Sequence, residues 1–198
     1  ANHLEQFTNF LLSIGNGSAN IINDGQYARI PDDMILAENS HTELSRRIYN
    51  NFLTADDISP SILAGKAVLA ATNDHVNDIN QELLQSFPGE AITFRSIDTI
   101  TEPNDELTYP VEFLNSVAIS SLPPPILILK IGVPIMILRN LSFDNGVCNG
   151  TRLIVTALTN NLIRATVITG PSSGASVFIP RIKLNSDEDQ CGVKFKRL

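Results

Sequence analysis

Apolar and polar positions follow two rhythms along this chain, and the rhythm changes near residue 125. The first part is mostly helical in period. Leu4, Phe7 and Leu11 fall at i, i+3 and i+7, so residues 2–14 predict a short amphipathic helix, stopped by Gly15-Asn16-Gly17. Residues 16–39 have no period and carry a turn at Asn23-Asp24-Gly25. Leu44, Ile48 and Phe52 make a second helical stripe over Ser40–Leu53, with Ser40 and Glu43 spaced as a capping box. Lys66–Thr72 (KAVLAAT) predicts a short buried strand. Asn73 then caps a third helix, Asp74–Phe87, with Val76, Ile79, Leu83 and Leu84 inward and Pro88-Gly89 at its end. Ala91–Ile97 alternates as a strand, with Ile92, Phe94 and Ser96 on one side. Tyr109–Val117 predicts a helical turn or two, entered at Pro110.

Pro123-Pro124-Pro125 fixes an extended segment and excludes a helix, which makes it the clearest boundary. Beyond it the pattern is strand-like: Ile126–Lys130, Val133–Leu138, Arg152–Leu158, Leu162–Thr169 and Ser176–Ile179. Glycine and asparagine turns separate these runs, Asn145-Gly146 and Asn149-Gly150 being the strongest hairpin signals. Short strands with tight turns in this number predict a small barrel. The stretch Lys130–Thr156 organises the whole. Ile131–Leu138 reads as a buried strand and Arg152–Leu158 as its return. Arg139, Asn140, Asn149, Thr151 and Arg152 are thereby expected at one end of a β-ribbon. Lys194–Leu198 reads as a basic tail.

Composition adds a charge asymmetry. Of 198 residues, 43% are hydrophobic and 18% charged, as in globular proteins. The net charge of −7 disfavours a non-specific nucleic-acid binder. Residues 1–125 hold 5 basic and 17 acidic residues, a balance of −12; residues 126–198 hold 9 and 4, a balance of +5. An acidic part thus precedes a modestly basic one, the sign that a phosphate backbone requires. There is no run of eighteen apolar residues and no basic-then-apolar start, so neither a membrane span nor a signal peptide is expected. Cys148 and Cys191 lack metal-type spacing and read as free thiols.

Enzyme signatures fail. The chain has no G-x-x-x-x-G-K-[ST] loop, no G-x-G-x-x-G and no H-E-x-x-H, and His3, His41 and His75 are scattered. It is expected to hold no metal and to catalyse nothing alone. Strand, then Thr72-Asn73, then helix offers free amides at a sheet edge, a geometry that suits an anion; Asp74 opposes a phosphate there, and an unliganded cap fits equally. Asn140 and Asn149 fit turn geometry as well as strand contact, and Arg139 or Arg152 can pair with Asp144 instead.

The central stretch carries a family resemblance. Leu129, Lys130, Gly132, Pro134 and Ile135–Leu141, followed by Val147–Val155, closely resemble the LK-x-G-x-P-[IV]-M-[IL]-LRNL and [LV]-CNGTRL-[IV]-V segments of Pif-type helicases, including those encoded by Helitron transposons. Leu69–Asn80, Phe94–Ile100, Tyr109–Ser116, Leu122–Pro124, Ile168–Ile182 and the N-terminal Phe10–Ser18 are similar to further elements of the same family, in order. Ser121 and Pro125 depart from it.

The resemblance implies a superfamily-one motor that unwinds DNA 5′ to 3′ with ATP and Mg²⁺, working in DNA repair, recombination and telomere maintenance. The fold class it implies is α/β: a partial second RecA-like domain over residues 1–125 and a small SH3-like β-barrel over 126–193, with 194–198 as tail. ATP and Mg²⁺ would belong to the full-length parent, whose first RecA-like domain is not in this sequence. The partners implied are single-stranded DNA and that domain, with no membrane. The location implied is the nucleus, the mitochondrion remaining open. Thr72, Asn73, Arg139, Asn140, Asn149, Thr151 and Arg152 are the residues expected to face the strand. The alternatives are a decayed transposon-derived piece kept as a DNA- or protein-interaction module, and a barrel adaptor for Pro-rich peptides, for which only Phe143, Phe178 and Phe195 offer aromatic surface.

Overall fold

The computed structural model describes all residues except 1, 20, 23–26, 37–39, 50–62, 102–108, 118, 120–121, 144 and 187–191. The chain divides into two compact units, Ala1–Leu44 and Ser45–Leu198.

In the first unit, α1 (Asn2–Gly15) is followed by the two-residue ribbon β1 (Ile21–Ile22) and β2 (Tyr27–Ala28) and by a 3₁₀ turn at Asp32–Met34. Gly17 at φ 68° ends the helix in the left-handed region, as the glycine pair predicts. The apolar stripe of this helix is exposed: Leu4 is 73% exposed, and Phe7 and Leu11 are exposed too. The physical reason lies within the unit, where Ala19 alone among the described residues supplies buried apolar surface. Helix α2 (His41–Tyr49) straddles the junction of the units.

The second unit holds α3 (Asn73–Ser86), β3 (Ile92–Arg95), β4 (Asp98–Ile100), α4 (Val111–Ser116) and strands β5 (Ile126–Leu129), β6 (Pro134–Met136), β7 (Arg152–Thr159), β8 (Leu162–Val167), β9 (Ser176–Pro180), β10 (Leu184–Asn185) and β11 (Phe195–Arg197). Helix α3 matches its predicted span within a residue, but Thr72 caps it, its hydroxyl accepting from the His75 amide at 3.4 Å. Ile79 is buried as expected, while Val76 is exposed. Lys66–Thr72 forms no ladder. It alternates half-buried and exposed, leaving Leu69 92% exposed, because no described strand lies alongside to pair with it.

All the described ladders are antiparallel. The parallel layer that a RecA-like domain would show is therefore absent from the described residues, and mixed α/β is the class observed. The five strands predicted after residue 125 all form, yet they do not close a barrel. Strands β6-β7-β8-β9 make an open four-stranded sheet, and no ladder joins β9 to β6 among the described residues. The reason is that β5 is taken by another partner: it pairs with β3, across Pro123–Pro125. Ile131–Leu138 is likewise not one buried strand. Gly132, at φ 92°, turns the chain there, and β6 covers three residues with Met136 exposed.

The largest departure is the C-terminal segment. Phe195–Arg197, expected as a basic tail, is the middle strand of a three-stranded sheet, β10-β11-β4. Phe195 is fully buried among Leu114, Ile119, Leu122 and Val193. Arg197 pairs with Asp98, with side chains 3% and 0% exposed. Its Nε donates to both carboxylate oxygens at 3.0 Å and its Nη2 to Oδ2 at 2.6 Å. Nη1 and Nη2 also reach the carbonyls of Pro123 at 3.1 Å and Leu114 at 2.9 Å. A basic tripeptide has no apolar run to mark it as a strand, so composition alone reads it as solvated.

Arg197→Ala strands a buried carboxylate and two carbonyls, and is expected to lower stability by roughly 3–5 kcal/mol. Paired replacement, Asp98→Leu with Arg197→Met, removes both charges and is expected to lose clearly less. Midpoints of chemical denaturation compare the two; equal losses would show that the charges do not act as a pair.

Candidate nucleic-acid interface

The predicted site lies in the connection between β6 and β7, and most of its polar groups are turned on each other. Asn145-Gly146 makes the expected hairpin: Ser142 and Val147 bridge, exchanging backbone bonds at 3.1 and 2.9 Å, with Gly146 at φ 66°. The side chain of Asn140 reaches across and accepts from the Asn149 amide at 2.9 Å. The Thr151 hydroxyl donates to the Gly146 carbonyl at 3.0 Å and accepts from the Cys148 amide at 3.1 Å. Asn140, Asn149 and Thr151 are thus brought together as predicted, and their hydrogen bonds build the turn itself. Asn149 and Gly150 are exposed residues, but their amides are spent within the loop, that of Gly150 on the Ile137 carbonyl at 2.8 Å; Phe143 is exposed at 75%.

The two arginines part company. Arg139 stays at the edge of this loop, its Nη2 donating to the Asn185 carbonyl at 2.9 Å. Arg152 points away to residues 63–66. Its Nη1 donates to the Ala64 carbonyl at 3.1 Å, and its Nη2 to those of Leu63 at 2.8 Å and Lys66 at 2.9 Å. Leu63 and Ala64 are helical, so the guanidinium caps helix-end carbonyls, that of Leu63 also accepting from the Lys66 amide at 3.3 Å. A side chain engaged in this way does not face a strand. Sequence reasoning could not separate the two arginines, because nothing local to Arg152 announces carbonyls some ninety positions earlier.

Thr72 and Asn73 lie apart from that loop in sequence, at the start of α3. Thr72 is occupied as a cap, and exposed Asn73 opens the helix beside Asp74. Lys66 and Lys130 were not predicted to have structural roles. Lys66 Nζ donates to the Ile48 carbonyl, and Lys130 Nζ to that of Phe87 just past the end of α3. Among the described residues no group of three or more His, Cys, Asp or Glu is placed to hold a metal ion. The sequence has no loop for a nucleotide's phosphates either. No helix among them is long and apolar enough to cross a membrane.

Residues 112–158, which span α4 to β7, match the family model of the DNA helicase Pif1, 2B domain. The match covers about a quarter of the chain, and over that segment the chain is similar to Pif1 helicases. Solved structures agree at the level of fold. A Pif1 helicase described in connection with DNA unwinding at forked double-stranded DNA superposes with a TM-score of 0.51, at 17% identity, over 97% of this chain and 34% of that one. Pif1 helicase from Candida albicans gives 0.52, at 20% identity, over 96% and 41%. Pif1 from Bacteroides, solved with ADP-AlF3 and single-stranded DNA, gives 0.47 at 15% identity, over 97% and 36%, and adds nothing to that agreement. The chain therefore spans well under half the length of these Pif1 structures. No curated protein sequence matches it.

Arg152→Ala is expected to cost roughly 2 kcal/mol by leaving three carbonyls without their charged donor. Circular dichroism melts check this, and an unchanged melt would mean that the contacts are dispensable. Gly146→Ala is expected to be destabilised by about 1–2 kcal/mol, since its Cβ would run into Ser172 Oγ at a positive φ. Ser172→Gly should recover only the steric part of that loss.

Proposed function

We propose that this chain is the strand-holding portion of an ATP-dependent, superfamily-one DNA helicase that moves 5′ to 3′. The observation that carries the reading is the Pif1 2B match over residues 112–158. The superposition on a Pif1 helicase described at forked DNA supports it. On this reading residues before the triple proline belong to a second RecA-like domain, and the open sheet after it to an SH3-like insert. ATP and Mg²⁺ act at a phosphate-binding loop of the parent's first RecA-like domain, which this sequence does not contain. The parent works in the nucleus or the mitochondrion.

The grip is sequence-neutral. A motor must hold a strand without reading it, so its contacts go to phosphates and to sugar through amides and small polar groups. Thr72 and Asn73 open a fourteen-residue helix whose first amides suit one phosphate. Arg139, at the edge of the turn that Asn140, Asn149 and Thr151 hold in shape, supplies a second contact. Arg152 contributes by fixing the base of β7.

Fluorescence anisotropy with a labelled oligothymidylate tests this. Weak, salt-dependent binding is expected, with log affinity falling by about 0.7 per phosphate contact for each unit of log salt. Asn73→Asp adds a charge of the wrong sign and should weaken binding several-fold. No DNA-stimulated ATPase is expected from the chain alone. Absence of salt-dependent binding, or robust ATP turnover, would overturn the assignment.

A further inference from the structure

The outer face of β8 and β9 carries an aromatic-cation pair that the loop between β6 and β7 does not use. Arg164 and Phe178 are register partners across the two strands. Both side chains are exposed, Phe178 at 60%. The Arg164 guanidinium lies over the Phe178 ring, 5.9 Å from its centroid. Its Nε donates to the Ser176 hydroxyl at 3.3 Å, which orients the group. Its two terminal nitrogens have no partner among the described residues. Arg181 extends the same edge, donating to the carbonyls of Asn160 at 3.4 Å and Arg95 at 3.1 Å.

Charge here is one-sided. Between Asn145 and Ser186 the charged residues are Arg152, Arg164, Arg181 and Lys183, and the sequence has no carboxylate in that interval. Arg152 is committed to residues 63–66 and Arg181 to the carbonyls of Asn160 and Arg95, so the exposed cations left are Arg164 and Lys183. Strand β9 is an edge of its sheet, so nothing from the described ladder covers its far side. A flat ring beside a planar cation with unspent donors, on an edge free of acidic residues, matches an unpaired base next to its phosphate. Every base has a π-face, so such a platform is indifferent to sequence.

We propose that Phe178 and Arg164 form a stacking platform for one unpaired nucleotide of single-stranded nucleic acid, with Phe178 and the guanidinium plane receiving the base and Arg164 Nη1 and Nη2 receiving the phosphate. The site is separate from the amides of α3 and from the Asn149-Gly150 loop, and it rests on the reading of the chain as a strand holder.

The protein has no tryptophan, so Phe178→Trp introduces a single indole reporter. Titrating that variant of the full chain with oligothymidylate should quench its emission as the base stacks. Phe178→Ala is expected to weaken oligothymidylate binding roughly ten-fold, while Phe178→Tyr keeps it. Arg164→Ala should weaken it and flatten the salt slope by about one phosphate contact. Duplex of equal length should compete poorly, since its bases are not free to stack. Unquenched emission at saturation, with Phe178→Ala binding normally and Asn73→Asp binding weakly, would overturn the platform and leave the strand-holding function standing. Equal competition by duplex would overturn the stacking. No binding by the unsubstituted chain would overturn both.

Discussion

The sheet β10-β11-β4 depends on one ion pair, Arg197 with Asp98. All three guanidinium nitrogens donate, and the acceptors come from β4, from the end of α4 and from the proline segment. Burying a carboxylate and a guanidinium costs several kcal/mol per ion, and only complete pairing offsets it. A one-residue slip of β11 would leave both charges buried and unmatched, so the pair fixes register more than it adds net stability. Phe195, two residues earlier, then falls into the cluster of Leu114, Ile119, Leu122 and Val193.

Arginines elsewhere behave alike. Arg139, Arg152 and Arg181 all donate to main-chain carbonyls, each tying together segments distant in sequence. Basic residues of the later part are therefore largely fasteners, and the +5 balance overstates the cationic surface left for a phosphate. Arg164 is the contrast: its recorded partners are a serine hydroxyl and an aromatic ring, both exposed. The distinction between clamp and contact lies in what surrounds the fork of donors, and charge counts cannot see it.

Local features were legible in the sequence. The turn at Asn145-Gly146, the strands flanking it, the helix opened near Thr72 and the helical turn after Pro110 are all where periodicity and turn chemistry put them. Long-range facts were not. That β5 pairs with β3 rather than closing a barrel is decided by partner choice, which an apolar run such as ILIL leaves open. That Phe195–Arg197 is a central strand depends on an aspartate far upstream. At the site, the mutual arrangement of Asn140, Asn149 and Thr151 follows from their turn-forming chemistry, whereas the departure of Arg152 follows from helix-end carbonyls. The juxtaposition of Arg164 and Phe178 needs the register of β8 on β9, which the glycine-rich loop between them does not specify.

The ladder between β4 and β11 also sets an order of events. Asp98 and Arg197 are 99 positions apart, and closing so long a loop comes late in folding. As the chain leaves the ribosome, Asp98 and the apolar wall around Leu114 must wait, uncovered, until β11 arrives. Over that interval Leu114, Ile119 and Leu122 lack the Phe195 ring that later packs against them.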